Sequence, residues 1–297
     1  MDKRKVIVGM DFGNVFLSGY YGEKLINGKG QNVNGIKTFF FRMKAIKEMF
    51  SPDYIVVAMD VGRSKTFRRN MYKHYKTNRK PKDDDIASQI EITSRICALT
   101  GYPIIENELY EADDILGMVS KYAYDHGMDM VIISSDQDMY QLLSENTYIY
   151  SPRGKEIIDE AWLYEKYRLK PSQWVDLKML KGDPSDNVPG VEGVGEVTAL
   201  KLMHQYESLD NIIQNIHQLK QNIQDNFAKI MDFLPISREL MTIVTDYNLI
   251  GFSQKNIEMN EPWTTELFNE LDSLELSSLV NVFKYSLIPN ESHIPSL

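Results

Sequence analysis

Residues 54–60 read YIVVAMD, an apolar run of the length of a strand that ends in an aspartate. Residues 6–11, VIVGMD, repeat this pattern, and residues 130–138, MVIISSDQD, place two aspartates just after a third apolar run. Runs that are apolar throughout are typical of parallel strands buried on both faces of a sheet. Residues 36–50 have helical spacing between the first two runs. Strands that alternate with helices predict an α/β fold with a central, mostly parallel sheet.

The other predicted elements follow from the same periodicities. Helices are predicted over residues 36–50, 86–100 and 112–125, and further short strands over residues 102–105 and 147–150. Past about residue 150 the strand signal fades, and helical patterns occupy residues 172–181, 197–206 and 218–231. We therefore divide the chain into residues 1–182, 183–255 and 256–297. The last part is acidic, and we expect it to wrap the surface or to form a small helical cap.

The bulk composition is that of a soluble protein with a proper core. The chain has 297 residues, 43% of them hydrophobic, and no apolar run approaches the roughly 20 residues of a membrane span. The N-terminal apolar stretch reaches Asp11 too soon for a signal peptide, so a cytoplasmic location is expected. Cys97 is the single cysteine, which excludes an internal disulfide and a cysteine-based metal site.

Positive charge is concentrated in one segment of an acidic chain. Residues 63–82 contain nine Lys or Arg residues and no Asp or Glu. The whole chain has a net charge of −9, so the rest of it carries −18. Such a segment on an acidic body is typical of a local phosphate-binding surface. The alternative, a solvated helix face, usually alternates in sign.

Three of the predicted strands end in aspartates, namely Asp11, Asp60 and the pair Asp136 and Asp138. Ligands of open parallel sheets bind outside the carboxyl ends of the strands, so these side chains are expected to share one crevice. A single aspartate at such a position is often only a helix cap or a turn residue. Three strand ends with the same feature favour a functional cluster.

A further acidic group opens the helix predicted from residue 112. Glu111 and Asp114 lie three residues apart and share a helix face, whereas Asp113 points elsewhere. Asp113 can join Glu111 only if Glu111 lies at or before the N-cap, where the backbone is not yet helical. The alternative explanation is that these acids suit the helix dipole.

A third acidic group, Asp183 and Asp186, lies in a turn-like sequence. Together the groups give nine candidate metal ligands: Asp11, Asp60, Glu111, Asp113, Asp114, Asp136, Asp138, Asp183 and Asp186. Packed together without counter-ions, these carboxylates would raise one another's pKa. Ligand sets that offer only oxygen favour Mg²⁺ or Mn²⁺ over zinc. Two such ions about 4 Å apart are the usual arrangement for in-line attack on a phosphodiester.

Several longer motifs occur in a fixed order and resemble one family. They are TFRRNMYKHYKTNRKP at residues 66–81, EADDILG at 111–117, SSDQDMYQL at 134–142, KGDPSDNVPGVEGVGEVTA at 181–199 and SRELMTIVTDYNL at 237–249. The ordered set closely resembles the 5′→3′ exonuclease domain of bacterial DNA polymerase I and its stand-alone and bacteriophage relatives, the 5′ nuclease or flap endonuclease family. The resemblance runs from Asp11 to about Leu249.

This resemblance implies a PIN-like catalytic domain over residues 1–182, a helical arch at about residues 63–85 and a helix–hairpin–helix DNA-binding region over residues 183–255. It implies one metal near Asp11, Asp60, Glu111 and Asp113, and another near Asp136, Asp138 and Asp186. Asp114 and Asp183 match extra bacterial and phage carboxylates in less direct contact with metal. Lys76 and Arg79 match residues that reach the scissile phosphate. The expected DNA contacts are Arg68, Arg69, Lys73, Tyr75, Lys80, Gly190, Gly193 and Gly195.

Tyr75 has two explanations, stacking on an unpaired base or ordinary packing at a helix base. The glycines of residues 189–195 allow close backbone approach, and the helix after them offers free N–H groups to a phosphate. Relatives hold a potassium ion in this hairpin, so the resemblance extends to K⁺. Relatives also often carry an arginine about seven residues after the first aspartate. This chain has Ser18 and Gly19 there, so we expect either a difference in rate or substrate positioning, or another basic residue in its place.

The predicted function is Mg²⁺-dependent cleavage of DNA at 5′ ends and 5′ flaps, with RNA–DNA hybrids as further substrates and roles in replication and repair. We expect a monomer with a separate DNA polymerase as partner and no membrane contact. One alternative is a non-catalytic binder of branched DNA, which would be expected to have lost several of the carboxylates. Another is a PIN-type ribonuclease, which usually lacks the arch and the hairpin.

Overall fold

A six-stranded sheet forms the centre of the protein in a computed structural model that describes residues 3–62, 65–80, 83–260, 262 and 264–286. The strands are β1 (Val6–Asp11), β2 (Tyr54–Asp60), β3 (Ile104–Asn107), β4 (Asp129–Ile133), β5 (Thr147–Ser151) and β6 (Glu156–Ile158). Their order across the sheet is β3-β2-β1-β4-β5-β6, and only β6 is antiparallel to its neighbour. The central strands are buried on both faces, as their continuous apolar sequences predict.

Helices connect the strands and continue after them. They are α1 (Phe12–Tyr20), α2 (Asn34–Phe50), α3 (Phe67–Met71), α4 (Asp84–Leu99), α5 (Ala112–Asp125), α6 (Glu160–Tyr167), α7 (Trp174–Lys181), α8 (Glu196–Tyr206), α9 (Leu209–Gln214), α10 (Gln221–Ile230), α11 (Leu234–Met241), α12 (Thr264–Ser273) and α13 (Ser277–Ser286).

The sheet separates two hydrophobic cores, so helices cover both of its faces. One core joins residues of β1, β2 and β4 to α5 and to the helices from α7 to α11. The other joins alternate residues of the same strands to α1, α2, α4, α12 and α13. Neighbouring strand residues point to opposite faces, which is why Ile7 belongs to the first core and Val8 to the second. The predicted α/β class with a mostly parallel sheet is confirmed.

The last two helices form the small cap that the acidic C-terminal sequence predicts. They pack on α2 and α4, with the rings of Phe283 and Phe40 5.3 Å apart. The loop before α2 also contacts them, because Gly28 N donates to Glu275 Oε2 at 2.6 Å. The cap therefore closes the second core.

The segment predicted as an arch is short where it can be described. Residues 63, 64, 81 and 82 lie outside the described residues, as do residues 287–297. Between residues 65 and 80 the chain forms α3 and then a series of turns. These turns contact the segment that follows α7. Within the described ranges, no helix combines the length and the apolar character needed to cross a membrane.

Candidate active site

A cleft of about 830 Å³ opens at the carboxyl edge of the sheet, where the strand ends predict it. Eight of the nine predicted carboxylates line it, and so do two predicted cations. They are Asp11, Asp60, Glu111, Asp113, Asp136, Asp138, Asp183, Asp186, Lys76 and Arg79. Residues more than 170 positions apart in the chain thus share one cavity.

Asp11 has two roles, because it caps helix α1 and also lines the cleft. Its Oδ1 accepts a hydrogen bond from Asn14 N at 3.0 Å and caps α1, while its Oδ2 accepts from Ser134 Oγ at 2.9 Å. The second bond ties the end of β1 to the end of β4. The structural explanation and the functional one therefore both apply to this aspartate.

The start of α5 is held against the end of β2. Ala112 N donates to Asp60 Oδ1 at 2.8 Å. Glu111 is the N-cap of α5, with φ −81° and ψ 166°, so its backbone is extended. This is the condition under which Glu111 and Asp113 can face the same way, and both line the cleft.

Asp114 does not belong to this cluster, so its prediction as a metal ligand is wrong. Its carboxylate is completely buried and binds the guanidinium of Arg68 through both oxygens, at 2.5 and 2.6 Å. Arg68 also donates to the carbonyl oxygens of Leu240 and Thr242, each at 2.8 Å. Only 3% of Arg68 is exposed, so its prediction as a DNA contact is wrong as well. The pair joins α3 to α5 and to the end of α11.

Asp138, Asp183 and Asp186 form the tightest acidic group. Each offers a carboxylate oxygen within 4.8 Å of the other two. The turn that carries the last two is held by Asp183 Oδ1, which accepts hydrogen bonds from Ser185 N at 2.9 Å and Asp186 N at 3.2 Å. Short local bonds of this kind order the turn before any cation binds.

Lys178 is a site residue that the sequence did not reveal. It lies on α7, and its ammonium group donates to Asp138 Oδ1 and, at 2.8 Å, to Asp183 Oδ2. It does not line the 830 Å³ cleft, but it lines an adjoining cavity of about 390 Å³ together with Asp136, Asp138 and Asp183. The one sequence signal is its position on a helix that ends just before Asp183.

The electrostatics of the carboxylates reflect burial and crowding. Burial raises the pKa of Asp11 to about 7, with Asp60 and Asp136 adding to the shift. Burial also raises the pKa of Asp138 to about 6, although the ammonium of Lys178 opposes this shift. For Asp183 burial acts in the same direction, but the ammonium of Lys178 together with hydrogen bonds from Ser185 and Asp186 N outweighs it and lowers the pKa to about 2. Burial and neighbouring acids raise the pKa of Asp113 well above its usual value.

Lys76 and Tyr75 connect the basic segment to the acidic cleft. Lys76 Nζ lies 2.7 Å from Glu111 Oε1 and 3.7 Å from Asp186 Oδ2. Tyr75 donates its hydroxyl proton towards Glu111 Oε2 at 2.8 Å and also lies 3.0 Å from Asp186 Oδ2. Tyr75 is only 4% exposed, so stacking on a base is wrong for this structure and packing is the explanation that applies.

The other predicted DNA contacts differ in exposure. Lys73 and Lys80 are exposed, and Arg79 is half-exposed beside Asp186, to which it donates. Arg69 is half-buried and donates to Tyr75 O at 2.7 Å. All four stay predictions as DNA contacts. Lys73 and Lys80 are the most accessible to DNA, and Arg69 is the least.

The predicted glycines also divide into two kinds. A Cβ on Gly190 would lie 2.2 Å from Gly182 N, so Gly190 is needed for the close approach of two backbone segments. Gly193 has φ +78°, and Gly195 is the N-cap of α8 with open space around it. Gly193 and Gly195 are exposed, so they present backbone to a ligand in a way that Gly190 does not.

A basic residue does lie where the sequence lacks the expected arginine. Arg42, on α2, donates to Ser18 Oγ and, at 3.1 Å, to Val15 O. Burial lowers the pKa of Arg42. The cation near Ser18 is thus supplied by the next helix rather than by α1.

The donor set fits a hard divalent cation. Every anionic side chain that lines the cleft offers oxygen, which suits a hard divalent cation. Burial raises the pKa values of Asp11 and Asp138, so a bound cation would favour the ionised form of these carboxylates. Asp138, Asp183 and Asp186 are close enough to share one ion.

Comparisons with known proteins agree with this fold. The family model for the "5'-3' exonuclease, N-terminal resolvase-like domain" matches residues 8–168, and that for the "5'-3' exonuclease, C-terminal SAM fold" matches residues 169–265. The two descriptions meet near the end of α6, whereas the boundary predicted at residue 182 falls at the end of α7.

Curated relatives include polymerases and a stand-alone nuclease. A thermostable DNA polymerase I of Thermus thermophilus is 37% identical over 261 residues, which are 87% of this chain and 30% of the polymerase. The chain thus spans about a third of the length of the polymerases it matches. A 5′-3′ exonuclease of Aquifex aeolicus is 32% identical over 256 residues, 86% of this chain and 87% of that protein.

Solved structures show the same fold. The T5 5′-exonuclease with bound zinc has a TM-score of 0.68 at 19% identity, covering 95% of this chain and 98% of that one. The catalytic core of Rad2 in complex with DNA substrate has a TM-score of 0.62 at 16% identity, covering 96% and 93%. With two family models that together match residues 8–265, and with a stand-alone relative matched over most of its length, the chain belongs to the 5′-3′ exonuclease family.

Proposed function

We propose that this chain is a metal-dependent nuclease that hydrolyses phosphodiester bonds at free 5′ ends and 5′ flaps of DNA, with RNA–DNA hybrids as further substrates. The observation that carries the proposal is the single cleft in which eight carboxylates meet Lys76 and Arg79. Clusters of acids alone repel a phosphodiester. Acids combined with two cations at the rim suit a substrate that arrives with divalent ions.

Two Mg²⁺ ions, which Mn²⁺ can replace, are the proposed cofactors. Asp11, Asp60, Glu111 and Asp113 would hold one, and Asp136, Asp138, Asp183 and Asp186 the other. When bound, such ions lower the pKa of water and offset the charge that develops on the phosphate.

The side chains around this centre have their own tasks. Lys76 reaches Glu111 from the basic segment, so its ammonium can turn to a phosphate and stabilise added negative charge in the transition state. Arg79 pairs with Asp186 and can do the same from a more exposed position. Tyr75 fixes the orientation of Glu111 and Asp186 through its hydroxyl group.

The hairpin between α7 and α8 is the proposed grip on duplex DNA. The first N–H groups of α8 follow the exposed Gly193 and Gly195, and a helix N-terminus favours a phosphate. A K⁺ ion bound by the carbonyl oxygens of this hairpin would add positive charge. Lys73 and Lys80 are exposed and would contact the phosphate backbone of the bound DNA. None of these contacts reads base sequence, so specificity for structure is expected.

The test is cleavage of a 5′-labelled DNA flap with Mg²⁺ and with a chelator. We expect product only with the metal. The Asp136→Asn, Asp138→Asn double variant should still bind the flap but release no product. A wild-type protein that binds flaps and never cuts them would leave a non-catalytic binder. A preference for the matched RNA flap would indicate a ribonuclease.

A further inference from the structure

Two turns face each other at the wall of the cleft. One comprises residues 74–79, at the end of the basic segment, and the other residues 183–187, which carry two of the acidic ligands. Several hydrogen bonds join them, and three of these run from the first turn to backbone carbonyls of the second: Lys76 N to Asp186 O at 2.8 Å, Asn78 Nδ2 to Pro184 O at 2.6 Å and Arg79 Nε to Ser185 O at 3.2 Å. The two turns therefore move as one unit.

Each turn contains a residue in the left-handed backbone region. Lys76 has φ +54° and Asn187 has φ +58°. Asparagine tolerates this conformation because its short side chain can bond locally, whereas for lysine it is unfavourable. The backbone of Lys76 must therefore be held in place by its surroundings.

Asn187 supplies the bonds that bracket Lys76. Its Nδ2 donates to His74 O at 2.9 Å and to Thr77 Oγ1 at 3.1 Å. Thr77 Oγ1 itself donates to His74 O at 2.8 Å, so the amide closes a small network around the residues on either side of Lys76. Asn187 is not among the residues that line the cleft, so it acts without touching the site directly.

We propose that Asn187 is a positioning residue, whose amide fixes the turn of residues 74–77 and thereby holds the Lys76 ammonium 2.7 Å from Glu111 in the cleft. The kinetic part of its test rests on the proposed nuclease activity. The result for the enzyme is that the cation and the turn bearing Asp183 and Asp186 are set in place together.

The kinetic test is a double-mutant cycle. The Asn187→Gly variant keeps the left-handed backbone and loses the amide, and we expect kcat to fall about tenfold with little change in KM. In the Lys76→Ala background the same substitution should change kcat less than twofold, because the group it positions is gone. Asn211→Gly is the control, since Asn211 Nδ2, on α9, donates to the carbonyl of Tyr206 and Asn211 does not line the cleft, and kcat should stay unchanged.

A loss from Asn187→Gly that is equal with and without Lys76 would overturn the proposal, as would no loss in either background. If Asn187→Gly lowers the melting temperature so far that kinetics cannot be measured, Asn187→Asp replaces it. Aspartate keeps the size and the backbone preference but has no N–H group, so it cannot donate to His74 O. The same cycle then decides the question.

A second readout needs no activity. Acylation of lysines by a small amine reagent, followed by mass spectrometry, should label Lys76 slowly in the wild type because only 10% of its side chain is exposed. Asn187→Gly should increase that rate at least several-fold while Lys178, held by Asp138 and Asp183, keeps its rate. Unchanged labelling of Lys76 would overturn the proposal. A wild type that cuts no substrate would reject the proposed function and leave this readout valid.

Discussion

At the scale of single residues, Arg68 and Asp114 show how a charged pair predicted to meet DNA and metal can instead be internal. Arg68 donates to two backbone carbonyls and to both oxygens of Asp114, which also accepts from Val244 N at 2.9 Å. Every charge in this group has a partner. A buried pair of this kind is costly to break because one charge is left alone in a medium of low polarity.

Arg68→Met is expected to destabilise the protein by roughly 3–5 kcal/mol, because the buried Asp114 loses its counter-charge and two carbonyl oxygens lose their donor. Urea unfolding followed by circular dichroism measures this. The control is Lys65→Met, which breaks the pair with Glu108, whose side chains are 67% and 62% exposed, and which should have little effect. Equal midpoints for Arg68→Met and wild type would contradict the structural role.

Tyr75→Phe tests the second buried group. The hydroxyl joins Glu111 to Asp186, and burial together with the carboxylate of Glu111 raises its pKa, so it stays protonated and donating. We expect Mn²⁺ to bind about tenfold more weakly to the variant, as when an outer partner of a metal ligand is removed. Titration calorimetry checks this, with Tyr72→Phe, whose ring packs 5.0 Å from Phe233, as the control. Unchanged affinity would refute the orienting role.

At the scale of elements, the hairpin between α7 and α8 depends on a close backbone crossing. Gly190→Ala would place a Cβ 2.2 Å from a backbone nitrogen, which cannot move like a flexible side chain. We expect it to lower both the melting temperature and the affinity for duplex DNA. Gly195→Ala meets no atom within 4 Å and should leave the melting temperature unchanged. Thermal melts and fluorescence anisotropy compare the two, and similar effects from both would contradict this account.

The elements best predicted from sequence are those with a strong local signal. Strands β1 and β2 and helix α5 have the predicted bounds, because apolar runs and the Glu111 cap mark them. The sequence does not predict the end of the sheet, because β6 has only three residues and the next helix, α6, has no clear apolar face. Helix α1 was missed because Asp11 ends the strand and caps the helix without a loop between them.

The site also contains residues that the sequence predicts and residues that it does not. Carboxylates at strand ends could be predicted because sheet topology alone brings them together. The roles of Lys178 and of the Arg68–Asp114 pair depend on contacts between residues distant in the chain, up to Thr242, and no local pattern encodes them. Asp114 was misassigned because residue type and spacing do not reveal which side of a helix start faces the cleft.

At the scale of the whole molecule, the acidic cleft makes stability depend on pH and metal together. The pKa of Asp11 is about 7 in the folded protein, above its ordinary value of 3.8. Protonated Asp11 therefore stabilises the fold at low pH, and this contribution is lost as pH rises towards and through about 7. Asp138, with a pKa of about 6, acts in the same direction, whereas Asp183 titrates below this range.

Bound metal needs these carboxylates ionised, so its stabilising effect should grow with pH. We expect the rise in melting temperature on adding Mg²⁺ to be clearly larger at pH 8 than at pH 5.5. Scanning calorimetry at the two pH values, with and without the metal, measures it. Asp11→Asn should flatten the dependence. A rise that is the same at both pH values would show that the two aspartates do not bind the ion.

The cap formed by α12 and α13 bears on how a smaller version of this protein would be made. The match to the second family model ends at residue 265, so a gene shortened to that point is an obvious first design. It would uncover the ring of Phe40 and take away Glu270, the partner of Arg95. We expect the truncated protein to self-associate through the exposed apolar face, so both helices should be retained.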